Sequence, residues 1–403
     1  MPSTPPDGLP APSDGSLPGA ALAGLAGRQL SLYLHVPFCA TRCGYCDFNT
    51  YTAAELGAAP GSSQDAYLAA AEAELDLAAR VLAGAPPVRT VFFGGGTPTL
   101  LPAGALVGLL AAVRDRFEVA PDAEVTTEAN PESVDPAYLE ALAAAGFNRL
   151  SLGMQSARPG VLAVLDRRHT PGRATQVVGW ARQAGFGSVS LDLIYGSPTE
   201  TIDDWRASLD SARACEPDHV SAYSLIVEPG TRLAARIQRG ELAAPQDDFH
   251  ADCYHLAEVL LTRAGYAAYE VSNWARPGHS SRHNLAYWLG HDWWGIGPGA
   301  HSHVGGVRWW NVRHPRDYSA RLAAGASPAQ ARELLTDEQR RVERVLLELR
   351  LAEGLPLDVL TPTELARVPA VVAAGLAEPD PARLRLTLRG RLLADAVVRD
   401  LLD

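Results

Sequence analysis

The sequence predicts an α/β protein: an open, partial barrel of six β/α units, followed by a small, mainly helical C-terminal domain. Three observations lead there. Six short runs of β-branched and aromatic residues alternate with longer Ala/Leu-rich stretches of helical periodicity. The pattern changes after the sixth run and again near Ala323. Polar residues collect where the runs stop, which is where α/β folds gather their ligands.

Taken in order, residues 1–28 are rich in Pro, Gly and Ser and read as a disordered leader. The strands are expected at Leu30–Val36, Thr90–Phe93, Glu124–Glu128, Arg149–Met154, Ser188–Ile194 and His219–Ile226. Helices are expected between them at Asp65–Ala83, Ala103–Phe117, Pro136–Ala145, Gly172–Ala184 and Thr201–Ala214. In the first, Leu68, Ala71, Leu75, Ala78 and Leu82 recur at steps of three and four, one stripe of an amphipathic helix. Strands joined by helices imply a parallel sheet with right-handed crossovers. A further helix, Asp247–Ala264, leads into a His- and Trp-rich stretch ending near Asn311. These parts make a core domain of residues 29–311, then a linker at 312–335 and a C-terminal domain at 336–403. That last domain is expected to hold helices at Asp337–Leu351 and Arg389–Leu402 and a strand at Arg383–Leu388.

Bulk properties narrow the function. Apolar residues make up 47% and charged residues 20%, an ordinary globular mix. A net charge of -11 with no basic stripe argues against a nucleic-acid partner. No apolar run approaches the roughly 20 residues of a membrane-spanning helix. The N-terminus lacks the charged region of a secretory signal. Five cysteines, three of them within Cys39–Cys46, make a poor disulfide framework and a good metal site, which points to a reducing, cytoplasmic compartment.

That metal site reads His35-Val-Pro-Phe-Cys39-Ala-Thr-Arg-Cys43-Gly-Tyr-Cys46-Asp-Phe48. Three thiolates on a loop after a strand can wrap one face of a [4Fe-4S] cube and leave one iron open. An open iron can chelate the amino and carboxylate groups of S-adenosylmethionine. The alternative is zinc with Asp47 or His35 as fourth ligand, although zinc sites usually pair two cysteine knuckles. Cys215 and Cys253 are isolated and read as small buried hydrophobes.

On these residues the chain resembles the radical-SAM superfamily, and within it the coproporphyrinogen dehydrogenase-like branch. The matching motifs are Tyr33-Leu-His35-Val-Pro-Phe-Cys39, Gly94-Gly-Gly-Thr97-Pro-Thr99, Glu128 in Thr-Thr-Glu-Ala-Asn-Pro, Gln155 in Gly-Met-Gln-Ser, and Asp192 in Asp-Leu-Ile-Tyr-Gly. The resemblance implies cluster ligation by Cys39, Cys43 and Cys46. It also implies S-adenosylmethionine contacts from Tyr33, Tyr45, Gly95, Gly96, Thr97, Glu128, Gln155, Arg167, Asp192 and backbone near Ile226. An electron donor to the cluster is implied as partner, and a winged-helix-like form for the C-terminal domain.

Two subfamilies share this core. One decarboxylates coproporphyrinogen III; the other, the HemW type, binds haem and passes it to haem-accepting proteins. The dehydrogenase pattern carries a further Cys two residues after the third ligand, where this chain has Phe48. The HemW-type pattern His-Asn-x-x-Tyr-Trp is matched by His283-Asn284-Leu-Ala-Tyr287-Trp288. Both features favour the haem chaperone over the coproporphyrinogen oxidase, with His283 as the expected haem ligand. Other histidines of the stretch, such as His291 and His303, read as packed or hydrogen-bonded. Arg276, Arg282 and Arg308 would suit the carboxylates of a porphyrinogen or of haem alike.

Overall fold

The computed structural model describes residues 7–57, 61–167, 170 and 172–402. Six parallel strands form its centre: β1 (Leu30–Val36), β2 (Val88–Gly95), β3 (Val119–Ala129), β4 (Arg149–Gln155), β5 (Ser188–Tyr195) and β6 (His219–Ser224). The expected helices fill the crossovers: α1 (Gln64–Val81), α2 (Ala103–Arg116), α3 (Pro136–Ala145), α4 (Arg173–Ala184) and α5 (Ile202–Ala214). The chain is therefore an α/β partial barrel, as the alternation of strand and helix runs implied.

Alternation along the strands sorts the two faces. Leu32, Leu34, Val91, Phe93, Leu150, Leu152, Leu191 and Leu193 point outward and are fully buried under the helices. Phe92, Ser151, Asp192 and Ser221 point inward and line a cavity. Helix α1 starts on Ser63, whose hydroxyl accepts the Ala66 N–H. Its buried face holds Ala71, Leu75 and Ala78 from the expected stripe, together with Glu74. The Glu74 carboxylate is satisfied by Gly297 N–H and Asn311 Nδ2, both at 2.8 Å, and by the Tyr318 hydroxyl at 2.7 Å. Burial raises its pKa to about 7, against those hydrogen bonds.

The sheet does not stop at six strands. β7 (Asn273–Ala275) adds antiparallel to β6. At the opposite edge β8 (Asp292–Ile296) runs parallel to β1, and the antiparallel strands β9 (His301–Val304), β10 (Val307–Asn311) and β11 (Ala329–Leu334) extend beyond it. With two-residue strands at its margins this makes one sheet of 13 strands. Residues 312–335, expected as a linker, thus supply a helix (Pro315–Ala323) packed on α1 and the strand β11.

The leader expected to be disordered is also placed from residue 7 onward. Leu9 and Pro10 pair with Arg332 and Ala331 of β11. Ala21 and Leu25 enter the core. Arg28 donates to the carbonyls of Ala21 and Ala23, each at 2.6 Å, and to the buried Asp292 at 2.6 Å. Composition suggested a free tail, whereas a few apolar anchors and one arginine fix it.

The C-terminal region has its own core, built on Val345, Leu349, Leu355, Leu384, Val397 and Leu401. Its first helix, α6 (Asp337–Glu348), opens with a Thr336–Gln339 capping box. Arg383–Leu386 is the middle of a three-stranded sheet, and the last helix is split into Leu388–Leu392 and Ala394–Leu402.

Candidate functional site

The three cysteines, the expected S-adenosylmethionine contacts and His283 all line one cavity of about 710 Å³ at the C-terminal ends of β1–β6, whereas Arg276, Arg282 and Arg308 do not. Each strand delivers its share through local geometry. The loop after β1 carries Cys39, Cys43 and Cys46, and it is pinned along its length. Cys39 N–H donates to Tyr51 O at 2.9 Å, Gly44 N–H to Leu165 O at 3.1 Å, and Leu233 N–H to Gly44 O at 2.8 Å. Burial pushes the Cys46 thiol up to about 11; it also raises the Cys39 thiol above its ordinary value. Metal coordination deprotonates such thiols outright.

The glycine run after β2 packs on this loop. Gly96 and Thr97 N–H donate to Val36 O and Phe38 O, both at 2.8 Å. A Cβ on Gly96 would sit 2.4 Å from Phe38 O and 3.1 Å from Cys39 Sγ. Gly95 has φ +111°, a conformation that suits glycine. Its N–H donates to Glu128 Oε2 at 3.1 Å. The run therefore lets backbone lie against the cysteine loop and seats Glu128, rather than simply opening space for a ligand.

Two carboxylates face the cavity. Burial, reinforced by the nearby Asp192 charge, raises Glu128 to about 8, opposed by the Gly95 N–H. Asp192 is raised by burial against hydrogen bonds from Ser221, Ser151 and Ser190. Ser151 Oγ lies 2.9 and 3.0 Å from its two oxygens. A buried acidic pair of this kind suits a ligand that brings a cation or hydroxyl donors.

Gln155 ends β4 at φ +63°, a strained setting for a residue with a side chain. Arg167 reaches in beside it. Its guanidinium donates to Gly153 O at 2.9 Å and lies 3.7 Å from Cys43 Sγ, and its buried Nε has no partner among the described residues. A Cβ on Gly153 would come within 2.7 Å of Arg167 Nη2 and 2.8 Å of Gln155 Nε2, so this glycine makes room for both. Tyr33 and Tyr45 form part of the walls, and Ile226 stands 67% exposed at the mouth.

The donor set fits an iron–sulfur cluster better than zinc. Both ring nitrogens of His35 are engaged, with Tyr33 OH at 3.0 Å and Asn49 O at 2.9 Å, so it is not a fourth ligand. Among the described residues no group of three or more His, Cys, Asp or Glu converges on a single ion. Three thiols spread around one cavity, with an unpaired buried guanidinium N–H nearby, suit a larger core that carries an anionic ligand.

His283, expected from the sequence to ligate haem, lines the cavity with both ring nitrogens engaged. It lies on the short helix Arg282–Trp288, whose start is capped by Glu124: the carboxylate accepts Arg282 and His283 N–H, each at 3.0 Å. His283 Nδ1 is 2.7 Å from Thr90 Oγ1 and Nε2 is 2.8 Å from Tyr287 OH. Its ring stacks on Phe92 at 5.0 Å, and burial lowers its pKa to about 3. With both nitrogens hydrogen-bonded, it plugs the base of the cavity and presents no free lone pair to haem iron. Asn284 works the same way, donating to Tyr269 OH and Glu270.

The sequence reading missed an inner polar layer. Arg149 donates to Ser188 Oγ at 2.8 Å and His279 O at 2.9 Å; His219 joins Ser190 Oγ at 2.8 Å to Tyr269 OH at 2.9 Å. The signal was present as polar residues at every second position: Arg149 and Ser151, Ser188, Ser190 and Asp192, His219 and Ser221.

Comparison with known proteins agrees with this geometry. Residues 33–212 match the radical SAM superfamily. The chain is 56% identical to the heme chaperone HemW of Mycobacterium tuberculosis over 386 residues, 96% of this chain and 97% of that one. It is 33% identical to the heme chaperone HemW of Bacillus subtilis over 379 residues, 91% and 97% of the two chains. Among solved structures, the coproporphyrinogen III oxidase HemN of Escherichia coli, a radical SAM enzyme, superimposes with a TM-score of 0.80 at 26% identity, covering 96% of this chain and 94% of that one.

Proposed function

The chain belongs to the HemW family of radical SAM proteins, and from that membership we propose that it is a haem chaperone, binding haem and passing it to acceptor proteins. The observation that carries this reading is the identity to named haem chaperones along nearly the whole chain, the C-terminal domain included. Phe48 supports it: 57% exposed at the cavity rim, it stands where the coproporphyrinogen dehydrogenase pattern has a further cysteine. The match to HemN favours the dehydrogenase as second reading, since it covers as much of the chain, but at less than half the identity.

Cys39, Cys43 and Cys46 would hold a [4Fe-4S] cluster and Glu128, Gln155, Arg167 and Asp192 an S-adenosylmethionine. When bound, the pair supplies one-electron chemistry at a sulfonium, drawing on an external electron donor. The chain's own residues do the rest. Arg167 offers its unpaired Nε–H and a positive charge beside Cys43 to a carboxylate. Glu128 and Asp192 accept from ammonium or hydroxyl groups. Ser151 and Ser190 hold Asp192 in place.

Among the described residues no helix is long and apolar enough to cross a membrane. The test uses protein purified without air, analysed for iron and acid-labile sulfide, titrated with haemin and assayed for coproporphyrinogen turnover. Haemin binding with no decarboxylation is expected; robust decarboxylation would make the chain a dehydrogenase instead.

A further inference from the structure

A second cavity, of about 750 Å³, lies between the barrel and the C-terminal domain. It is the right size for a large flat cofactor. One wall is the end of the His-Asn-x-x-Tyr-Trp motif, with Tyr287, Trp288 and the 39% exposed Leu289, continued by Trp293. The other is α6, which brings Arg340, Arg344 and Leu347. Tyr287 belongs to both this groove and the cysteine cavity.

We propose that this groove, not the cysteine cavity, is where haem sits, held by its flat face and its two carboxylates. The proposal rests on the haem-chaperone reading above. Arg340 and Arg344 are one helical turn apart on α6 and both line the groove, a spacing that can serve the two propionates of a porphyrin edge. Both side chains are about half exposed, at 47% and 50%. Arg340 is lightly paired: among the described residues its ion-pair partner is the fully exposed Asp337, 3.9 Å away. Its stem packs over Gly306, where a Cβ would come within 3.0 Å of Arg340 Cδ. Arg344 shares its charge with Glu348 at 2.6 Å. Glu343, Asp337 and Asp358 also border the groove; Glu343 pairs with Arg308 at 2.5 Å, a guanidinium it shares with Glu333 at 2.7 Å. Tyr287, Trp288 and Trp293 give the macrocycle an aromatic wall, with Tyr287 meeting Trp293 edge-on at 4.8 Å.

The cysteine cavity is a poor alternative for a dianion. Its two arginines, Arg149 and Arg167, are offset there by Glu128 and Asp192, Arg167 is committed beside Cys43, and His283 has both nitrogens engaged. The groove holds one histidine, His303, which is engaged as well: Nδ1 faces His291 O at 3.1 Å and Nε2 accepts Gly306 N–H at 3.2 Å. Haem is therefore held without an imidazole–iron bond, and iron is dispensable for binding. A cargo held by stacking and ion pairs leaves without breaking a coordination bond, as a carrier requires.

The experiment titrates the full-length, cluster-loaded protein, without air, with haemin and with iron-free protoporphyrin IX, following tryptophan fluorescence. Both are expected to bind with Kd values within about 3-fold of each other. Arg340→Glu is expected to weaken both about 10-fold or more, as loss and reversal of one charge-assisted contact, with cluster absorbance and S-adenosylmethionine affinity unchanged. Arg340→Lys is expected to restore most of the affinity, which separates charge from folding. If Arg340→Glu binds haemin as the parent does, the groove is overturned while the chaperone reading stands. If iron-free porphyrin binds more than about 30-fold more weakly than haemin, retention is through iron and the proposal fails. If the parent binds neither, the chaperone reading itself fails.

Discussion

The cysteine cavity and the arginine–tryptophan groove share Tyr287 and little else. In the cavity the charges are buried, and their partners come from strands far apart in sequence: Glu128 from Gly95, Asp192 from Ser151, Arg167 from Gly153. In the groove the charges are half exposed and lie on one helix. The first arrangement is rigid and preorganised; the second tolerates exchange of what it holds. That contrast is what a carrier with a fixed cofactor and a mobile cargo requires, and it can be broken from either side.

The largest effect is expected from Cys43→Ser. Iron and acid-labile sulfide should fall to background while circular dichroism keeps the helical signal, because α1–α5 do not pack through this sulfur. Retention of a full cluster would remove Cys43 as ligand. Next comes Glu128→Gln, which should weaken S-adenosylmethionine by about 100-fold, the scale of losing a buried charge partner, as read by calorimetry. The same substitution tests the pH dependence. A carboxyl raised from about 4.5 to about 8 by burial keeps its proton in the fold while the unfolded chain loses it. Stability from this group is thus full below pH 4.5 and is lost as the pH rises toward 8. In ligand-free protein, Glu128→Gln should raise Tm more at pH 8 than at pH 5. An equal shift at both would show that Glu128 ionises normally.

Gly153→Ala should cost about 10-fold in S-adenosylmethionine affinity, through displacement of Arg167 and Gln155, with haemin binding untouched; a loss of both would merge the two regions into one site. The smallest effect on binding belongs to His283→Ala. It strands the Tyr287 hydroxyl, while Thr90 keeps Ser31 as partner, and should cost about 1–3 kcal/mol in a urea melt, yet change haemin affinity by less than about 3-fold. Loss of haemin binding in folded protein would restore His283 as the ligand.

What the sequence revealed was what is local. The three cysteines, the glycine run, and Glu128, Gln155 and Asp192 at strand ends sit within short motifs, and all reach one cavity. The helix stripe of α1 was legible for the same reason. What stayed hidden depends on distance along the chain. β8 returns to the free edge of β1 after some 260 residues, pairing Asp292 with Leu30. His283 looked available because its partner Thr90 is 193 residues away. The placed stretch from residue 7 was not legible because its Pro and Gly content resembles that of a tail, while the partner of Arg28, Asp292, is 264 residues away. The inward polar layer is different: its period-two signal was in plain view and was passed over in favour of strand ends.

The margins of the long sheet carry a consequence for life at high concentration. A row of 13 strands would expose two open edges, each able to recruit a foreign strand. Here one margin is Leu9–Pro10 and the other Ala267–Ala268, two residues apiece. A segment that short offers almost no register to copy, and Pro10 has no amide hydrogen to give. The fold thus ends its sheet bluntly on both sides, which guards against fibre-like growth between copies.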